Sequence, residues 1–173
     1  MIQFSTDRLV LRSWHDADLD PWAAMNADPE VREHLGGVLT RDQSAASLRW
    51  FQESIDRLGY GFWAVQERAT GELIGMAGLD AVDDDAPVTG VEIGWRLARH
   101  AWGKGYATEA ALAVLEYGFT TLSLPEILAI TTVDNVKSQA VMKRLGMTEF
   151  AEFDSTDGEA QIRNVVFRKR NGE

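Results

Sequence analysis

The sequence predicts a mixed α/β domain: a largely antiparallel sheet carrying helices and one parallel strand pairing. Two observations point to this. Three β-like segments follow one another between residues 61 and 97 with only turns between them, which suggests an antiparallel meander. From residue 105 onward helix and strand alternate, which suggests a parallel pair inside the same sheet. There is no linker, internal repeat or low-complexity tract, so residues 1–173 read as one domain.

The elements follow in order. Residues 8–14 (RLVLRSW) form a first strand. Residues 16–26 form a helix with Asp16 as N-cap and Pro21 inside its first turns. Residues 40–58 form a longer helix: Leu48, Phe51, Ile55 and Leu58 recur at helical spacing to give one apolar face, and Gly59 stops it. The meander is 61–66, 73–79 and 91–97, turned at Thr70-Gly71 and at the acidic loop 83–87 with Thr89-Gly90. Then come a helix over 105–122, a strand over 127–133 and a helix over 135–145 closed by Gly146. Two last strands lie near 147–153 and 161–168, joined at Asp157-Gly158.

Composition narrows the function classes. The hydrophobic share is 45% and the charged share 25%, as in soluble globular proteins. The longest unbroken apolar run in the helical middle is 110–115, and a membrane helix needs about 20 predominantly apolar residues. The N-terminus has no basic stretch followed by an apolar one, so no signal peptide is expected and a cytoplasmic setting is. Without cysteine there is no disulfide framework, thiolate metal site or cysteine nucleophile. His15, His34 and His100 lack metal-ligand spacing, so no metal is expected. A formal charge of −10 argues against general nucleic-acid binding. The charge is uneven: residues 1–87 hold 16 acidic and 7 basic groups, residues 88–173 hold 11 and 10. That asymmetry serves solubility and favours cationic partners for the first half.

The chemistry concentrates in residues 91–110, VEIGWRLARHAWGKGYATEA. A strand ends near Leu97, and Gly103-Lys104-Gly105 opens a helix. The first amides of a helix have no intrahelical acceptor and its dipole is positive there, so the turn is an anion site suited to a diphosphate. Thr108 adds a hydroxyl and Lys104 a charge. A tight turn with no ligand is the plainer reading of the same glycines. The P-loop pattern is absent. The dinucleotide pattern GxGxxG fails at its third glycine, where Thr108 stands, although Asp134 offers the acid that motif needs.

The stretch from His100 through Gly103-Lys104-Gly105 to Ala110 resembles the acetyl-CoA loop of the GNAT superfamily of N-acetyltransferases, Gln/Arg-x-x-Gly-x-Gly/Ala at a helix start, with His100 at the first position. The segment 6–12 (TDRLVLR) is similar to the T-x-R-L-x-L-R opening of the RimJ/RimL-like branch, the ribosomal-protein N-terminal acetyltransferases. The segment 90–95 (GVEIGW) is similar to that branch's fourth strand. Asn135-Val136-Lys137-Ser138 with Leu145-Gly146-Met147 resembles its N-x-x-S and LGF segments. Four motifs in the family's order span nearly the whole chain.

The resemblance implies a twisted, mostly antiparallel sheet of about seven strands with helices on both faces, and two parallel strands splaying apart around the pantetheine arm of acetyl-CoA. The splayed pair here is 91–97 and 127–133. Trp95, Arg96 and Leu97 would offer backbone groups to the cofactor. Trp102, Gly103, Lys104, Gly105, Tyr106, Ala107 and Thr108 would hold its diphosphate, and Asn135 and Ser138 would flank its thiol arm. The implied reaction moves acetyl directly to a primary amine, of a protein N-terminus or a small molecule, without an acyl-enzyme. Glu92 is the candidate general base and Ser138 the candidate acid. Many relatives carry a Tyr acid where Met142 stands here. For Glu92 the plainer reading is a surface carboxylate, and for Ser138 a hydroxyl in the first helical turn. Trp22, Trp50 and Trp63 read as core, with the acceptor side as alternative. Residues 83–85 read as a solvated loop and 168–170 as a frayed end. A CoA-binding sensor without catalysis and a nicotinamide-dependent oxidoreductase remain as rival functions.

Overall fold

The computed structural model describes residues 4–173; the signal-free start read from the sequence includes residues 1–3, which lie outside the described residues. In chain order the elements are β1 (Phe4–Ser5), β2 (Leu9–Arg12), α1 (Leu19–Asn26), α2 (Arg41–Leu58), β3 (Phe62–Glu67), β4 (Leu73–Ala81) and β5 (Val91–Leu97). They continue with α3 (Tyr106–Thr120), β6 (Glu126–Thr132), α4 (Val136–Arg144), β7 (Thr148–Asp157) and β8 (Ala160–Arg170). All strands join one eight-stranded sheet in the order β1-β2-β3-β4-β5-β6-β8-β7. Every neighbouring pair is antiparallel except β5 with β6.

Helices cover both faces, as strand alternation requires. On one face α3 packs so closely that a Cβ on Gly118 would stand 2.6 Å from Ile127 and 3.3 Å from Leu79. On the other, α1 and α2 enclose an aromatic core in which Trp14–Trp22, Trp22–Phe51 and Phe51–Phe62 ring centroids lie 5.1, 5.8 and 5.2 Å apart. Trp22 and Trp63 are fully buried core residues; Trp50 is 47% exposed and belongs neither to the core nor to the cleft described below. Along α2, Phe51 and Ile55 are buried, but Leu58 is exposed at the helix end. Thr40 and Gln43 form a reciprocal cap at its start, and Gly59 ends it at φ 77°.

Four expectations are corrected. Among the described residues the strands number eight rather than about seven, because the two-residue β1 pairs with β2. β2 stops at Arg12: Trp14 leaves the ladder, its backbone N–H donating to Gln52 Oε1 at 2.8 Å and its indole N–H to the Phe62 carbonyl at 2.7 Å. Asp16 is not an N-cap. Residues Asp16–Asp18 make a 3-10 turn entered at His15, and the carboxylate that holds it is Asp18, which accepts from His15 N and from both Nη atoms of Arg12 at 2.7–2.9 Å. Arg168, Lys169 and Arg170 are no frayed end. They form the last rungs of β8 against β6, and Arg168 lies 4.0 Å from the Phe150 ring centroid.

Candidate active site

β5 and β6 part almost at once. Seven residues of β5 are in register with β4, yet only Glu92 pairs with β6, opposite Leu128. Past that point β6 keeps its other edge on β8 through Thr132, while β5 runs on to Leu97 with one edge bare. Ala98 N donates to Ile74 O at 2.9 Å. Backbone alternation therefore turns Gly94 and Arg96 towards β4, and Ile93, Trp95 and Leu97 towards the gap. The Leu97 carbonyl is taken by the Trp102 indole N–H at 2.8 Å. Among the described residues the Trp95 N–H and carbonyl have no partner, and Arg96 turns its side chain rather than its backbone to the cleft. The gap opens into a cleft of about 1790 Å³, ample for a nucleotide thioester and a second substrate.

The loop after β5 lies at one end of this cleft. Gly103 and Gly105 adopt φ 73° and 81°, a region costly for other residues, and a Cβ on Gly103 would meet nothing within 4 Å. The first helical bond of α3 is Glu109 N to Gly105 O. Among the described residues no acceptor takes the amides of 103–108, and no side chain caps the helix. Arg8 braces the turn from outside. Its Nη1 donates to the Lys104 carbonyl at 2.9 Å, while its Nε meets Glu109 at 2.6 Å. Thr6 Oγ1 and Arg8 N also donate to Glu109. Burial acts to raise the Glu109 pKa, but these hydrogen bonds and the Arg8 charge outweigh it and hold the carboxyl below its ordinary value. The turn is thus a cradle of bare N–H groups with space in front of it, which suits a diphosphate. Lys137 brings a cation alongside, 4.7 Å above the Trp102 ring. Tyr106 is buried with its hydroxyl on Glu67, and His100 faces Glu72 at 3.2 Å, away from the amides.

Glu92 stands on the cleft wall at the branch point of the splay. Its register partner on β4 is Asp80. Burial, with the added repulsion of Asp83 and Asp80, lifts its pKa to about 7. A carboxyl poised there can accept a proton near neutral pH. Asp83, although exposed, thus influences the site, beyond its reading as a solvated loop residue.

From the opposite wall, α4 points its N-terminus into the cleft. Asn135 is its N-cap, with Oδ1 accepting from Ser138 N at 3.2 Å and Nδ2 donating to Thr131 Oγ1 at 2.9 Å. The Ser138 hydroxyl has no protein partner among the described residues and lines the cleft; so does Met142, which is almost fully buried. Asp134, the acid of the dinucleotide reading, instead accepts from Thr132 and lies 3.5 Å from His34.

The cleft thus brings together Glu92, Trp95, Trp102, Gly103, Gly105 to Thr108, Asn135 and Ser138, whereas Lys104 is not among its lining residues and its ammonium lies 5.9 Å from the Tyr106 ring centroid. Sequence reasoning missed Arg8, which acts from about a hundred positions away, and the side chains of Arg96 and Lys137.

The sequence profile of the Acetyltransferase (GNAT) domain matches residues 8–148. The chain is 32% identical over 144 residues to an N-acetyltransferase named p20 of Bacillus licheniformis, covering 81% of this chain and 79% of that one. It superposes on an acetyltransferase from Agrobacterium tumefaciens str. C58 with a TM-score of 0.82 at 29% identity, over 98% of this chain and 95% of that one. The fold is shared with RimL, a ribosomal L7/L12 alpha-N-protein acetyltransferase solved with coenzyme A, at a TM-score of 0.81 and 14% identity over 98% of each chain. The splayed strand pair, the glycine-opened amide cradle and these matches agree: the chain belongs to the GNAT family of acetyltransferases.

Proposed function

We propose that this protein transfers the acetyl group of acetyl-CoA directly to a primary amine, with no acyl-enzyme. The carrying observation, among the described residues, is the single β5–β6 bridge next to the six amides of 103–108 that find no acceptor. Acetyl-CoA supplies the acyl group as an activated thioester. The amides of 103–108 bind its diphosphate, and the free Trp95 backbone binds along its arm. An N–H in that strand also stabilises negative charge on the thioester oxygen. Glu92 takes the proton of the attacking amine, through water, and the Ser138 hydroxyl donates towards the leaving sulfur. Both candidate acceptors are amines: a small amine, or a protein N-terminus such as the RimL neighbour's name describes.

The test is thiol release from acetyl-CoA across a panel of amines and N-terminal peptides, for the wild type and Glu92→Gln. Turnover that falls at least a hundredfold in the variant supports the reading. A second reading, a CoA sensor, draws on Met142 at a position where it cannot give a proton; CoA binding with no thiol release for any amine would favour it.

A further inference from the structure

The acceptor side of the cleft holds a partly buried positive charge that the acetyl-transfer step does not use. Arg96 lies on the same face of β5 as Glu92, four residues on, with Gly94 between them. Its Nη1 donates to Asn26 Oδ1 at 2.7 Å, and its guanidinium sits 5.1 Å from the Trp22 ring centroid. Nothing neutralises it. Among the described residues no carboxylate lies within 4.0 Å, and Nε is buried with no hydrogen-bond partner. Arg32 adds a second charge nearby. It is buried, it donates to the carbonyls of Leu35 and Gly37, and it has no carboxylate partner among the described residues. Burial, with repulsion from Arg32, pushes the Arg96 pKa down to about 9. Glu30, which also lines the cleft, is held by Arg99.

A partly desolvated guanidinium without an anion is costly, and its planar fork matches a carboxylate in bidentate geometry. Asn26 and Trp22 fix the orientation of Arg96 but leave its charge unanswered. The cleft face is therefore polar end to end. Glu92 lines one end, with Asp83 and Asp80 adding negative charge from behind it, and Arg96 lines the other, with Arg32 adding positive charge from behind it; Gly94 lies between them against the Phe62 ring, and Glu33 also lines the cleft. Successive Cα atoms rise about 3.3 Å along a strand, so the Glu92 and Arg96 Cα atoms lie about 13 Å apart.

We propose that Arg96, reinforced by Arg32, receives a carboxylate of the acceptor, so that the enzyme's acceptors are amines that also carry a carboxylate; this rests on the acetyl-transfer reading. The ammonium end faces Glu92 and the carboxylate end faces Arg96. The cationic partner expected from the acidic first half of the chain then reduces to one end of a zwitterion. A free amino acid and a peptide N-terminus followed by an acidic residue present the same chemistry.

The test compares matched acceptors in thiol release from acetyl-CoA. Glycine, β-alanine, γ-aminobutyrate and common α-amino acids are each paired with their carboxamides, and peptides with Asp at position two are paired with their Asn counterparts. The expected result is kcat/KM at least tenfold higher for the acid of the preferred pair, with that ratio collapsing towards one in Arg96→Gln, partly restored in Arg96→Lys and reduced in Arg32→Gln. Which pair responds separates the free amino acid from the peptide. A CoA-induced thermal shift verifies that each variant is folded. Carboxamides as good as acids, a ratio that survives in Arg96→Gln, or turnover confined to diamines would overturn the carboxylate site while leaving acetyl transfer standing. If no amine releases thiol, the transfer reading fails. Tryptophan fluorescence then decides the site alone: quenching by an N-acetyl amino acid but not by its amide, lost in Arg96→Gln, supports it, and no quenching overturns it.

Discussion

Arg8 and Glu109, 101 residues apart, form a hydrogen-bonded ion pair at 2.6 Å whose second arm holds the Lys104 carbonyl. The pair ties the bend between β1 and β2 to the first turn of α3. Removing it frees Lys104 O to accept from within the helix and lets the cradle close. Arg8→Met is expected to raise the CoA dissociation constant about tenfold, equivalent to about 1.4 kcal/mol. Because Arg8 is half exposed, the loss of folding stability should stay within about 1 kcal/mol. Calorimetric CoA titration and urea unfolding measure the two effects separately.

The glycines of the cradle serve conformation and access together. Gly103→Ala places a Cβ in open space at φ 73°, so its folding cost is left-handed strain alone, about 1–2 kcal/mol. Gly158→Ala, at φ 61° in the β7–β8 turn and likewise unobstructed, is the matched control. Both variants should lose similar stability, and only Gly103→Ala should also weaken CoA binding, by tenfold or more.

Glu92 gives the pH dependence a definite sign. Its pKa rises from 4.5 unfolded to about 7 folded, so the folded state binds the extra proton between those values. Stability is greatest below about pH 4.5 as far as this group is concerned, and it declines as pH rises towards 7. The displacement corresponds to about 3 kcal/mol. Glu92→Gln should therefore be more stable than the wild type at pH 8, by up to about that amount, with the advantage shrinking towards pH 5. In catalysis kcat/KM should rise through about pH 7 in the wild type, and that limb should be missing from the variant. Thermal unfolding and pH–rate profiles check both parts.

Asn135 and Ser138 separate folding from chemistry. Asn135→Ala removes the N-cap of α4 and should cost about 1 kcal/mol of stability. The Ser138 hydroxyl has no hydrogen-bond partner among the described residues, so Ser138→Ala should leave the melting temperature nearly unchanged while kcat falls about a hundredfold. Equal stability losses in the two variants would contradict the assignment.

What the sequence disclosed was local. Gly59 and Gly146, both with positive φ, end helices where the sequence places them, and Asn135 caps α4. Gly103 and Gly105 were visible because positive φ at a helix start leaves a glycine signature. The long-range relationships were hidden. Nothing in the residues around Arg8 points to Glu109, and nothing in the Glu92 strand points to Asp80 as its cross-strand partner, because register is set by pairing across the whole meander. The splay came from family resemblance; apolar residues in β5 and β6 read the same whether the strands are zipped or parted. Arg168 to Arg170 looked like a frayed end because their charges gave no hint of the β6 edge they cover.

The central claim is that the bare amides of 103–108 and of Trp95 receive acetyl-CoA. Backbone amide chemical shifts followed during titration with CoA measure this directly. The account predicts large, saturable changes at residues 103–108 and at Trp95, with small ones at the β7–β8 turn. Saturable CoA binding that leaves those amides unmoved, or no binding at all, would contradict it.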